Sequence, residues 1–457
     1  MPTIYSARWV LPIASRSIED GAVAIENSKI LGVGPRNAVI SRFPDSRVED
    51  FGQAAILPGL VNAHSHLELT VMRGYLEPEE GDFFAWLRKL TITRMAMTSE
   101  DSLASATFGA VEAARAGITC VADASSAATE AMKALREVGL RGIVYQESFG
   151  PDPKLAAENV AKLREQISSM RDMENDLVHI GVSPHAPYTV SAPQLELISH
   201  LAIDEKLPVM MHAAESQAEK LFMLEGRGVF AEGLKARGIE WQAPGVSTIQ
   251  YLARHGIMEN KPLLAHCINV DDSDLEFIKK SHAGIAHCPK SNAKLGHGRA
   301  PFAKFFARGI NVGLGSDSVA SNNTCDLLEE ARFATLISRL PSTIDNPLSG
   351  GPAPPSPAEK ALFAATFGGA RALGLDNQIG ALAEGMQADV AVVSLNGVHQ
   401  QPVNNPVDAL IFSSSGRDVL LTLVAGKEVY RAGKVSAVNE AEVRTRIQRA
   451  RIRIEQQ

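Results

Sequence analysis

An alternation through the middle of the chain limits the fold more than any other feature. Eight short apolar runs are each followed by a stretch with helical spacing. The first run closes at His64 in Leu57-Pro58-Gly59-Leu60-Val61-Asn62-Ala63-His64, and the others occupy 117–123, 142–147, 179–185, 208–212, 262–267, 283–288 and 310–317. Residues 101–116, 130–137, 155–170 and 272–280 carry apolar positions at helical intervals. Runs this continuous in Val, Ile, Leu and Ala suit strands covered on both faces. Eight βα units in a row predict an α/β fold, a (β/α)8 TIM barrel with its chemistry at the C-terminal strand ends.

The chain of 457 residues, 45% apolar, is long enough for one barrel of roughly 250–350 residues and an accessory part. Short apolar runs punctuated by Asp, Gly, Asn and Pro (7–12, 21–26 and 29–34) open the chain. A matching set (388–393, 419–424 and 427–430) comes near its end. The two ends are expected to pair into a small β-sandwich. The predicted organisation is residues 1–55 and 375–437 for the sandwich, 56–374 for the barrel and 438–457 for a C-terminal helix. Residues 350–357, rich in Pro and Gly, predict a stiff linker before a helix over 358–373. The charged helical pattern of 441–457 suits a solvated surface or a subunit contact in a homo-oligomer.

Polar residues concentrate where the apolar runs stop: His64, His66, His185, His212, His266, His287 and Asp317. Alternation along an extended chain puts His64 and His66 on one face. With His212 from the fifth run and Asp317 from the eighth, they supply three nitrogens and one carboxylate. That donor set suits one divalent metal, zinc first with iron sharing the same donors, and leaves room for a water whose pKa falls towards 7. Asp317 could also take that water's proton. Glu215, three residues after His212, is placed to protonate a ring nitrogen, and His266 to stabilise the attacking oxygen or the tetrahedral intermediate. Singly, each histidine reads as a satisfied core or rim side chain; jointly, in strand order, they read as a site.

Other chemistries fail on the residues. His66-Leu67-Glu68 matches the HxE half of the cytidine-deaminase signature, but no PCxxC follows. There is no GxSxG elbow. A net charge of −7 without a basic patch argues against nucleic acid. No run reaches membrane-spanning length, and the first residues lack a leader pattern. Cys120, Cys267, Cys288 and Cys325 lie far apart, as buried thiols in a reducing compartment do. A cytoplasmic enzyme with a small-molecule substrate is the expectation.

Several stretches together resemble the amidohydrolase superfamily, in its branch of aminohydrolases with one metal: Pro58-Gly59-Leu60-Val61-Asn62-Ala63-His64-Ser65-His66, Ser183-Pro184-His185-Ala186-Pro187-Tyr188, His212-Ala213-Ala214-Glu215, Leu264-Ala265-His266-Cys267, Ala286-His287-Cys288-Pro289-Lys290-Ser291-Asn292 and Gly315-Ser316-Asp317. The resemblance implies that His64, His66, His212 and Asp317 hold the metal, that Glu215 and His266 move protons, and that His185 reaches the substrate. It implies hydrolytic deamination of a cyclic amidine.

Within that branch, 66–70, 144–151 and 295–301 are similar to the aminodeoxyfutalosine deaminases of menaquinone biosynthesis, which release ammonia from a 6-aminopurine. S-adenosylhomocysteine and methylthioadenosine deaminases carry a glutamate in the helix after Trp86, and Leu90-Thr91-Ile92-Thr93-Arg94-Met95 has none. This ranks the adenosine-type reading second, with guanine, pterin or triazine aminohydrolases behind it and a non-enzymatic barrel last. The benzoate of a futalosine-like substrate calls for a cation, for which Arg73, Arg94 and Arg299 are candidates. Glu68, just past His66, is expected to orient a ligand histidine, and His287 and His297 are left outside the catalytic set.

Overall fold

The computed structural model describes residues 1–340 and 357–456. Eight parallel strands form the centre: β1 Leu60–Ser65, β2 Ile118–Ser125, β3 Arg141–Ser148, β4 Val178–Pro184, β5 Met210–Ala213, β6 Leu263–His266, β7 Gly284–His287 and β8 Asn311–Leu314. β1 to β4 pair in order, as do β5 to β8. Single parallel bridges, Val182 to Val209 and Ser65 to Asp317, join the two sets into a closed barrel. All eight predicted runs are therefore strands, and the (β/α)8 barrel holds.

Small side chains line much of the barrel interior. Ala63, Ala122, Ala124, Ile143, Tyr145, Met210, Leu263 and Ala286 pack into one buried cluster. Tyr145 is the large filler, and Gly181 makes room for it: a Cβ there would lie 2.5 Å from the Tyr145 ring. Outside, the helices bury their apolar faces on the strands. Two that matter below are α1 Phe83–Ala96 and α2 Ser99–Arg115. A reciprocal cap, Thr98 with Asp101, starts α2.

The predicted 358–373 helix is two, Pro357–Ala364 and Phe367–Ala372. Thr366 leaves helical geometry (φ −130°, ψ −100°), and its hydroxyl donates back to the Leu362 carbonyl at 2.6 Å. The break brings Gly369 against Val61 of β1, where a Cβ would sit 3.0 Å from the valine's Cβ. Most of the expected 350–357 linker lies outside the described residues.

Both chain ends meet in one nine-stranded sheet beside the barrel. Its joint is Ala54–Pro58, which runs parallel to Thr3–Val10 and antiparallel to Val390–Ser394. Side chains from both ends share one apolar core, including Val10, Val23, Ile56, Val390 and Leu421, so the small β-sandwich is built from both termini as expected. The last helix, α3 Glu440–Glu455, packs on α2, where Arg453 pairs with Asp101. Among the described residues no helix is long and apolar enough to cross a membrane. All four cysteines are buried free thiols.

Candidate metal and substrate site

The barrel's closing seams build the site. The Asp317 N–H donates to the His64 carbonyl (2.9 Å), and the His212 N–H to the His185 carbonyl (3.0 Å). Strand pairing itself thus brings four of the sequence-predicted residues to one mouth. The backbone there is bent: Ala214, His266, Cys267 and Asp317 all have positive φ, between 47° and 73°, a conformation that non-glycine residues hold only when their surroundings impose it. Gly315 permits the closest approach, since a Cβ would lie 2.8 Å from the Cβ of His64 and from Cys288 Sγ.

At the centre, the ligating nitrogens of His64, His66 and His212 lie within 4.8 Å of one another. His66 Nε2 and His212 Nε2 are 3.2 Å apart. Asp317 Oδ1 is 3.4 Å from His64 Nε2 and 3.5 Å from His66 Nε2. The His212 Nδ1 is 2.9 Å from the His185 carbonyl, which can only accept, so the proton sits on Nδ1 and the His212 Nε2 lone pair is free. His64 Nε2 is buried and, apart from the Asp317 carboxylate at 3.4 Å, has no hydrogen-bond partner among the described residues. Burial pulls all three imidazoles down to about 4, so they are neutral donors at pH 7. Four donors around an ion at about 2.0–2.2 Å stand about 3.3–3.6 Å apart along tetrahedral edges. Three of the spacings here, 3.2, 3.4 and 3.5 Å, are of that size, and a shared cation would take up the buried His64 nitrogen.

A carboxylate network backs this centre. Ser291 and Ser321 hydroxyls donate to Asp317 Oδ2 (2.5 and 3.2 Å), leaving Oδ1 towards the histidines. Burial pushes Asp317 up, but His64, His266 and His66 outweigh it and hold the carboxyl well below its usual range. Glu215 Oε1 lies 3.6 Å from His266 Nε2 and 3.5 Å from His297 Nε2, and the Tyr188 hydroxyl donates to Oε2 at 3.4 Å. Burial opposes ionisation of Glu215, yet His266 and His297 bring it down to about 2. Conversely, burial lowers His266, while Glu215, Asp317 and the Asn292 Oδ1 contact (2.8 Å) raise it overall.

These groups open onto a narrow cleft of about 60 Å³. One wall is apolar: Leu69, Leu295, and Phe83, Trp86, Leu87 and Leu90 of α1. His185 lines it too, its Nδ1 2.8 Å from the Thr189 hydroxyl.

Of the three arginines expected at a substrate carboxylate, only Arg94 lines the cleft. It is already engaged, with Nη1 3.1 Å from Glu147 Oε2 and its guanidinium 4.8 Å from the Phe149 ring centroid. Arg73 pairs with Glu112 and lines a different cleft beside α2 and α3. Arg299 donates to the Ile337 and Leu340 carbonyls, at and just past the end of the Leu327–Ser338 helix. Contrary to expectation, Glu68 makes no hydrogen bond to a histidine among the described residues. Its carboxylate accepts from the Ser125 and Ser126 hydroxyls and from the Ser126 and Ala127 N–H groups at 2.7–3.2 Å, fixing the turn after β2.

Four groups enter that sequence reasoning had not assigned: Glu147, Tyr188, Asn292 and His297. Asn292 and Tyr188 sit inside quoted motifs, so their proximity was readable. His297 follows from loop geometry, since Gly296 and Gly298 flank it at φ +68° and +104° and its ring meets Phe83 edge-on at 4.3 Å. His287, left outside the catalytic set, ends β7 and stacks on Phe302 at 5.0 Å.

The chain is similar to known proteins along nearly its whole length. The profile described as "Amidohydrolase family" matches residues 55–429. A 5-methylthioadenosine/S-adenosylhomocysteine deaminase of Syntrophobacter fumaroxidans is 32% identical over 435 residues, 94% of this chain and 93% of that one. A zinc-bound adenosine deaminase from Xanthomonas campestris superposes with a TM-score of 0.84 at 26% identity, covering 100% and 99% of the two chains. The aminofutalosine deaminase of Helicobacter pylori shares the fold (TM-score 0.77, 94% and 100% covered) at 21% identity.

Proposed function

The chain belongs to the amidohydrolase family and is a hydrolase acting on C–N bonds, and from that premise we propose that it deaminates a 6-aminopurine nucleoside, releasing ammonia. The observation that carries the reading is a buried carboxylate, Glu215, held beside His266 at the edge of a three-histidine, one-aspartate cluster. His64, His66, His212 and Asp317 would hold one divalent ion, zinc as in the Xanthomonas relative. Bound there, the ion supplies Lewis acidity and lowers the pKa of water towards about 7.

The residues then divide the proton work. Water adds to C6, and Glu215, ionised at rest, takes its first proton and passes it to N1, so the ring takes the electrons of the broken C=N bond. Asp317 takes the second proton as the new C6 hydroxyl becomes a carbonyl. His266, hydrogen-bonded through Nδ1 to Asn292, keeps its Nε2 edge towards the oxygen being added. Asp317 passes its proton to the amino group, which leaves as ammonia, and N1 keeps the proton that Glu215 supplied. One water enters and one ammonia departs.

For the substrate's far end, the methylthioadenosine/S-adenosylhomocysteine type now stands ahead of the futalosine type. The relatives at about 30% identity carry that name. The candidate cations also do not favour a benzoate, since Arg94 is already paired and the other two face elsewhere. The apolar wall of α1 suits an uncharged thioether. The test is ammonia release from methylthioadenosine, S-adenosylhomocysteine, adenosine, aminodeoxyfutalosine and guanine side by side. Methylthioadenosine should be the fastest or equal fastest; a clear preference for guanine would overturn the nucleoside reading. Glu215→Gln should keep its metal and lose turnover by at least ~10². Undiminished activity in that variant would remove Glu215 from the chemistry.

A further inference from the structure

Resting on the nucleoside reading above, we infer that Glu147 recognises the sugar hydroxyls of the substrate. Glu147 is the penultimate residue of β3, and its side chain is fully buried although it borders the cleft. Only half of its carboxylate is engaged. Oε2 accepts from Arg94, whereas Oε1 has no hydrogen-bond partner among the described residues. A buried carboxylate oxygen left without a donor is costly, so a donor entering the cleft is what this oxygen lacks.

The position selects the donor. Glu215 and His266 follow β5 and β6, while Glu147 ends β3; between the two carboxylates stand His66 and His212. A purine that offers N1 to Glu215 presents its opposite end, where the sugar is attached, to the β3–β4 side of the mouth. Oε1 lies 4.0 Å from His66 Nδ1 and 4.0 Å from His185 Nε2, so a hydroxyl placed there meets an acceptor on Glu147 with an imidazole edge alongside. A second metal is a poorer occupant, because the Arg94 guanidinium is bonded to the same carboxylate and repels it. Arg94 is the positioning residue of this pair: anchored over Phe149, it aims Glu147.

The experiment compares kcat/KM for adenosine and 2′,3′-dideoxyadenosine in the metal-loaded wild-type enzyme and in Glu147→Gln and Glu147→Ala. A site built to bond a hydroxyl rejects the analogue lacking it, so the wild type should prefer adenosine by about 10² or more. The preference should shrink in Glu147→Gln and fall below about tenfold in Glu147→Ala, with metal content unchanged. The wild-type ratio decides by itself if a variant fails to fold. Equal rates on the two compounds, undiminished preference in both variants, or loss of metal from Glu147→Gln would each overturn the assignment while leaving the deaminase reading in place. Failure to deaminate any nucleoside would remove both together.

Discussion

At the scale of single residues, the site depends on which way each polar atom is turned. Asp317 shows this best: two serine hydroxyls occupy Oδ2, so Oδ1 alone faces the histidines. Groups that orient a metal ligand typically contribute 10- to 100-fold in affinity or activity. Ser291→Ala should therefore lower zinc affinity by about 10-fold or more, read by competition with a chelator, with little effect on melting temperature. Unchanged affinity would mean that Ser321 alone orients the carboxylate. The same scale explains the arginines. Sequence position put Arg73, Arg94 and Arg299 near the mouth, but a guanidinium reaches far enough to turn towards whichever acceptor is nearest. Glu112 and the helix-end carbonyls, remote in sequence, decided two of the three. His297 could be named from sequence as a residue able to touch substrate but not placed beside Glu215, since two glycines with positive φ steer it.

Elements were far more legible. Strands buried on both faces write themselves as apolar runs, and all eight appear where the runs stood. The 272–280 helix matches to the residue, because Asp271 and Asp274 form a capping box in front of it. The break at Thr366 was invisible, since an alanine-rich run reads as one helix until its glycines must pack on strands. Packing inside the barrel makes a separate demand. Gly181 lies against Tyr145, so Gly181→Ala forces the ring or the strand to move. Overpacking of this kind costs about 1–3 kcal/mol. Urea unfolding should report that loss, and Tyr145→Phe should not relieve it because the ring still fills the space. A variant as stable as wild type would show that the interior relaxes freely.

The whole molecule is a barrel whose two chain ends are stitched together beside it. The stitch to the barrel is ionic and buried: Arg141 of β3 donates to Asp389, ahead of Val390–Ser394, at 3.0 and 3.2 Å. Asp389 also accepts from the Ala425 N–H (2.8 Å). Removing one partner of a buried pair leaves an uncompensated charge, about 3–5 kcal/mol. Asp389→Ala should therefore destabilise the protein by that order in denaturant unfolding. A loss below about 1 kcal/mol would show that water reaches Arg141 instead. That a sheet would join both ends was readable from matching strand patterns. That one charged pair would tie it to β3 was not, because nothing in sequence links positions 141 and 389.

The central proposal is that side chains at the ends of β1 and β5 and in the turn after β8 would bind a single divalent ion, with Glu215 beside it serving the deamination of a 6-aminopurine nucleoside. The direct measurement is ammonia released from methylthioadenosine by protein of known metal content, before and after chelation and after adding zinc back. The account predicts about one zinc per chain at full activity, loss of turnover on chelation, and recovery with zinc. Protein with its full complement of zinc that releases no ammonia, or stripped protein that releases it undiminished, would contradict it.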